Sequence, residues 1–104
     1  MGSYNIHIPP RAEKDMRGIA AHITNELGQP DTARKIITAL KEGISSLREM
    51  PERYAKVADK RLAKKGIRRL IVGNYLVFFT IDEPRRAVRI IGVLYGRRDW
   101  KNIL

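Results

Sequence analysis

Tyr4-Asn5-Ile6-His7-Ile8 alternates apolar and polar positions, the period of a strand with one buried face. Pro9-Pro10 ends that stretch. Beyond it Ala12, Met16, Ile19, Ala20, Ile23 and Leu27 recur at helical spacing, while Glu13, Lys14, Arg17 and Asn25 fall on other faces. The spacing predicts an amphipathic helix over residues 10–27. Gly28 stands where a left-handed C-cap is favoured, and Pro30 suits the first turn of a new helix. A second stripe, Ala33, Ile36, Ile37, Leu40, Ile44 and Leu47, continues until Pro51 stops it after Met50. Two amphipathic helices joined so tightly form an antiparallel hairpin whose apolar stripes need another surface to cover.

Residues 51–65 are polar and irregular, a connection with Tyr54, Val57 and Leu62 as its anchors. After Gly66 the period changes. Ile67 to Val72 reads as a strand, Gly73-Asn74 as a turn, and Tyr75 to Ile81 as a strand apolar on both faces, which suits a central position with helices on one side. Residues 82–86 form a second turn, Ala87 to Tyr95 a further strand, and Arg97 to Leu104 a tail or last helical turn. The order β-α-α-β-β-β predicts an α+β fold, a helical hairpin packed on one face of a small antiparallel sheet. Residues 1–104 are expected to make a single domain.

Composition narrows the chemistry. The 104 residues include no cysteine and only two histidines, His7 and His22, which excludes a disulfide framework and a cysteine nucleophile. A Ser-His-Asp site or a multi-histidine metal centre has very little to be built from, and no cofactor is expected. His22 flanks the apolar stripe and His7 alternates with isoleucines, so both read as surface residues. No apolar run approaches the roughly 18 residues of a membrane span, which makes a cytoplasmic protein the expectation.

The net charge of +10 is unevenly placed. Residues 1–59 carry 9 basic and 8 acidic side chains, and residues 60–104 carry 12 and 3, so +9 belongs to the C-terminal 45 residues. Lys60-Arg61, Lys64-Lys65, Arg68-Arg69, Arg85-Arg86, Arg89, Arg97-Arg98 and Lys101 supply it. Such segregation points to a polyanionic or acidic partner engaged by one part of the fold. On charge alone the chain reads as a small nucleic-acid-binding module; plain surface solubility is the competing explanation.

Ile8-Pro9-Pro10-Arg11-Ala12, Pro30-Asp31-Thr32-Ala33, Gly73-Asn74-Tyr75-Leu76-Val77-Phe78-Phe79 and Val93-Leu94-Tyr95-Gly96-Arg97-Arg98-Asp99-Trp100, in that order and spacing, resemble the RelE/ParE superfamily of type II toxin-antitoxin toxins. The resemblance spans essentially the whole chain. It implies a growth-inhibiting toxin neutralised by an antitoxin that wraps an extended acidic segment around it. RelE-like members enter the ribosomal A site and cleave mRNA, using sheet Arg and Lys with a Tyr or His near the C-terminus to activate the ribose 2′-OH and stabilise the phosphorane. ParE-like members lack that set and poison DNA gyrase through protein contacts.

Aligned on the Tyr75 strand, Arg69 falls where a basic residue of the catalytic strand is expected, and Arg98 matches the arginine after the last strand. The resemblance therefore implies Arg69 and Arg98 as catalytic if the chain is a ribonuclease, with Tyr95 a weaker candidate. Lys64, Lys65, Arg68, Arg97 and Trp100 are candidates for target or nucleic-acid contact. Two departures stand out. The family arginine after the strand tyrosine is Leu76 here, and residues 99–104 contain no Tyr or His. Trp100 can stack on a base but cannot transfer a proton at neutral pH, which leaves Tyr95, Lys64, Lys65 and Asp99 for a looser site. The balance tilts toward gyrase and away from ribosome-bound mRNA. Being neighbours on a strand, Arg68 and Arg69 point to opposite faces, one lining the open side of the sheet and the other skirting the helices. Tyr75 and Tyr95 also read as structural residues with hydrogen-bonded hydroxyls.

Overall fold

The computed structural model describes residues 3–96. Strand β1 (Asn5–His7) leads into α1 (Pro10–Ala21), with Pro10 at the first helical position, where its missing N–H costs nothing. The predicted helix does run on toward Leu27, but its last turn widens into a π-helical turn over His22–Glu26. Leu27 N–H donates to the His22 carbonyl at 3.2 Å, and Gly28, at φ +63°, takes the left-handed conformation that reverses the chain. Pro30 opens α2 (Pro30–Ser46). This helix lies very close to the sheet at Gly43: a Cβ there would stand 3.0 Å from Val72 Cγ2 and 3.2 Å from Leu70 Cδ2. The glycine in mid-helix, unfavourable by about 1 kcal/mol on propensity, is what permits that approach.

The connection of residues 51–65 is more ordered than its pattern suggests. A short 3-10 turn (Pro51–Arg53) is followed by an arm and by α3 (Lys60–Lys64), whose Asp59 cap accepts the Leu62 N–H at 3.1 Å. Lys56 pairs antiparallel with Arg68, and Val57 N–H donates to the Ile67 carbonyl at 3.0 Å. The arm thereby covers the start of the sheet's outer edge, around Arg68.

Strands β2 (Arg68–Val72), β3 (Tyr75–Asp82) and β4 (Ala87–Tyr95) form the expected antiparallel meander. The full order is β1-β4-β3-β2, and β1 pairs parallel to β4, with Ile6 opposite Val88. The sheet is thus mixed at one edge, a correction to the all-antiparallel expectation. Tight turns enforce antiparallel pairing only between neighbours in sequence; β1 reaches β4 from the far end of the chain and is free of that constraint.

Because β3 is apolar on both faces, it takes part in two cores. On the helix side Val77 and Phe79 pack with Met16, Leu40, Ile44, Leu47, Leu70, Val88, Ile90 and Val93. On the other side Leu76 and Phe78 pack with Val57, Leu62, Ile67 and Leu94. The predicted anchors are therefore split. Tyr54 meets the edge of Phe79 on the helix side, with centroids 6.3 Å apart, while Val57 and Leu62 cover the opposite face. The β3–β4 register steps from Phe78–Gly92 to Phe79–Ile90, so Ile91 is an extra residue that joins the second cluster.

Tyr4, buried at 6% exposure, pins β1 to the β3–β4 turn. Its hydroxyl donates to Glu83 Oε1 at 2.8 Å and accepts from Arg86 Nη1 at 3.2 Å, and the Arg86 guanidinium sits 4.2 Å from the ring centroid. The hydrogen bond to the Glu83 carboxylate holds the phenol protonated and raises its pKa above the ordinary 10.0. Tyr75 is also raised, chiefly by burial and further by Tyr95, whose ring meets it edge to face at 5.6 Å.

Two outcomes follow from this packing. Leu62→Ala, which opens the second core, should cost about 2–5 kcal/mol in a urea denaturation curve, and Ile71→Ala on the exposed strand surface within about 0.5 kcal/mol. Equal effects would show that the α3 arm does not hold the sheet. Phenols with raised folded-state pKa bind their protons more tightly when folded, so the stability they contribute is complete below pH 10.0 and is lost as pH rises through the folded values. Phenolate absorbance should accordingly show Tyr4 and Tyr75 ionising above pH 10.0, with Tyr4→Phe removing one late step.

Candidate functional site

The β2 register decides between the two adjacent arginines. Arg68 stands opposite Phe79 and so on the helix side, Arg69 opposite Phe78 and so on the arm side. Arg68 cannot enter the core with Phe79. Its guanidinium turns to the edge, where Nη1 donates to the Tyr54 carbonyl at 2.6 Å and the Glu52 carbonyl at 3.3 Å. Its donors are spent on holding the arm, which makes it a structural residue first. Arg69 is exposed, while its backbone N–H donates to the Ala55 carbonyl at 3.4 Å. It emerges beside Ile71, itself 61% exposed, on the rim of the Leu76–Phe78–Leu94 cluster.

Lys64 and Lys65 are exposed on and just after α3, the helix whose Leu62 covers that same side of the sheet. They share a side with Arg69. So does Arg89, which pairs with Thr80 on β3 and His7 on β1 and is exposed. Arg89 had no site role in the sequence reading beyond its charge. Its signal was an arginine between Val88 and Ile90 in an alternating strand, which marks a side chain aimed away from the core.

Tyr95 goes the other way. It pairs with Tyr75 and shares the helix side with Val77 and Val93, so the sheet separates its hydroxyl from Arg69. The arm side thus gathers Arg69, Lys64, Lys65 and Arg89, and leaves out Tyr95 and Arg68. Arg97, Arg98 and Trp100 lie outside the described residues. The position the family gives to an arginine is occupied by Leu76, 7% exposed and packed on Phe78 and Leu94.

Two grooves flank α1. One, about 570 Å³, lies between α1, α2 and β1; Ile6, Ile8, Met16, Ala20, Ile37 and Ile44 make it apolar, and Arg17, Lys41 and Arg48 stand around it. The second, about 840 Å³, lies between α1 and the ends of β3 and β4, where Ile19, Leu27, Tyr75, Val93 and Tyr95 meet Arg11, Lys14, Asp15, Gly18 and His22. Both have an apolar interior with basic groups at hand. Among the described residues no group of three or more His, Asp or Glu side chains is placed to hold a metal ion, and no helix is long and apolar enough to cross a membrane.

Comparison with known proteins agrees with this architecture. The chain has the fold of a protein in the chromosomal ParDE toxin-antitoxin system from P. aeruginosa, with a TM-score of 0.72, 17% identity, and coverage of 89% of this chain and 96% of that one. It is similar to a chain of the RelBE2 toxin-antitoxin complex from Mycobacterium tuberculosis, with a TM-score of 0.67, 18% identity, and coverage of 89% and 98%. A substituted E. coli RelE toxin in the free state gives a TM-score of 0.64 at 16% identity, covering 98% of this chain and 99% of the other. No curated protein matches by sequence. At these identities the likeness is one of fold. The family model for the ParE toxin of the type II toxin-antitoxin system parDE matches residues 6–100, and the chain belongs to that toxin family.

Proposed function

We propose that this toxin arrests growth by binding its target, DNA gyrase, and that it does not cleave RNA. The observation that carries the reading is the setting of Arg69. Its cross-strand partner is Phe78, its neighbours Leu76 and Ile71 are apolar, and Tyr95 lies on the other face. Ribonucleolytic transfer needs a group that takes a proton from the 2′-OH and another that returns one to the leaving oxygen, both within hydrogen-bond reach of the reacting atoms. Arginine stays protonated and supplies neither. Lys64, Lys65, Arg69 and Arg89 give this side a basic character, which suits an acidic protein surface.

The antitoxin is proposed to lay an apolar face into the groove between α1, α2 and β1. Ile6, Ile37 and Ile44 offer it apolar contact, while Lys41 and Arg48, with Arg17 beside its ion-pair partner Glu13, favour acidic flanks. The ribosome-dependent ribonuclease is the second reading, favoured by the retained Arg69 and Arg98.

Induced expression without antitoxin, with mRNA ends mapped and plasmid supercoiling measured in the same cells, separates the two. The expected result is arrest with intact mRNA and altered supercoiling. Codon-phased cuts that vanish in Arg98→Ala, with the unfolding midpoint unchanged, would establish the ribonuclease instead. Continued growth on expression would sink both readings and favour a non-toxic nucleic-acid-binding module. For the partner, Ile37→Glu should weaken capture by the co-expressed antitoxin at least tenfold, a loss of about 1.4 kcal/mol. Unchanged capture would move the contact elsewhere.

A further inference from the structure

Strand β4 is nine residues long, but β1 covers only its first part, pairing with Ala87, Val88 and Arg89. The rest, Ile90-Ile91-Gly92-Val93-Leu94-Tyr95, has β3 on one side and, among the described residues, no strand on the other. Gly96 N–H donates to the Asn74 carbonyl at 2.8 Å, toward the β2–β3 turn. Alternation along the strand then turns the backbone groups of Val93 and Tyr95 to the uncovered edge. This stretch is uncharged, free of proline and rich in β-branched and aromatic residues, the composition that stacks on copies of itself when its edge is open. Beside the edge lies the 840 Å³ groove, and Gly18 lines it at a point where an added Cβ would meet nothing within 4 Å.

One side chain interrupts the edge. Asp15, from the middle of α1, accepts the Val93 N–H through Oδ2 at 3.0 Å, across 78 residues of sequence. The carboxylate takes the donor that an incoming strand needs first and sets a negative charge in the path of that strand's carbonyl oxygen. We propose that Asp15 is an edge guard: it closes the open half of β4 to strand addition by a second copy of this chain. A second copy is the partner to exclude, because an uncharged, proline-free, β-prone segment can pair with the same segment of another chain. The basic groups Arg11 and Lys14 along the same groove, within a chain of net charge +10, add a longer-ranged barrier that salt removes. The guard itself is a contact hydrogen bond and persists in salt. This inference does not depend on what the toxin targets.

The test is sedimentation velocity of the full chain, wild type and Asp15→Ala, at low and at high salt, with amide hydrogen exchange on both. The wild type should remain monomeric at both salts, with the Val93 amide protected and the Tyr95 amide, on the same edge, exchanging much faster. Asp15→Ala should lose Val93 protection as a monomer and self-associate at high salt, with Tyr95 becoming protected as it does so. Adding Tyr95→Pro, which blocks the outward edge without removing a bond to β3, should restore the monomer. A folded Asp15→Ala that stays monomeric at high salt overturns the proposal, as does association that Tyr95→Pro leaves intact. If Asp15→Ala does not fold, the wild-type exchange decides: comparable protection at Val93 and Tyr95 would refute a guard acting at one residue.

Discussion

A strand with no wet face has to be covered twice. In β3, Val77 and Phe79 face one way and Leu76 and Phe78 the other, and all four are buried. The helical hairpin can cover only one side. The second cover comes from the arm and α3, which bring Val57, Leu62 and Ile67 over Leu76 and Phe78. Fully burying side chains of this size stabilises by about 1.5–3 kcal/mol each, so the arm is held by its apolar contacts as much as by its hydrogen bonds to β2. It also pairs with the start of β2, around Arg68.

The placement of charge follows from the same constraint. With both faces of the sheet centre taken by apolar packing, basic side chains on the strands are displaced to its margins. Arg68 goes to the arm's carbonyls, and in the β3–β4 turn Arg86 goes to the Tyr4–Glu83 pair; each ties two segments of chain together. The +9 counted along the C-terminal part is therefore not all one functional face. Lys64, Lys65, Arg69 and Arg89 lie on the arm side, which also carries the exposed Ile71.

The elements of the fold were readable because each was signalled locally: helical stripes, Pro at helix starts, Gly28 and Gly73 at reversals, and two apolar runs separated by Gly73-Asn74 or by the turn of residues 82–86. What was not readable depended on contacts distant in sequence. Nothing near Asn5-Ile6-His7 says that it pairs parallel with Ala87–Arg89, and the polar look of residues 51–65 hides a cover whose anchors are single residues spaced irregularly. The site was legible to the same extent. Spacing placed Arg68 and Arg69 on opposite faces, but only the pairing with Phe79 and Phe78 says which is which. Tyr95, a weaker catalytic candidate than Arg69, is put on the opposite side of the sheet from it by the register.

Leu76 is where fold and function meet most directly. It is not an exposed position that happens to lack an arginine: it is 7% exposed, and packs with Phe78, Leu94 and the residues of the arm. An arginine there would have to bury its guanidinium in that cluster or displace α3, and a buried unpaired charge costs several kcal/mol. The apolar cover that β3 requires and a strand arginine at this position are thus alternatives, and this sequence has taken the cover. What remains on that side is a set of basic groups around a packed apolar floor, with Leu76 part of the floor and not of the charge.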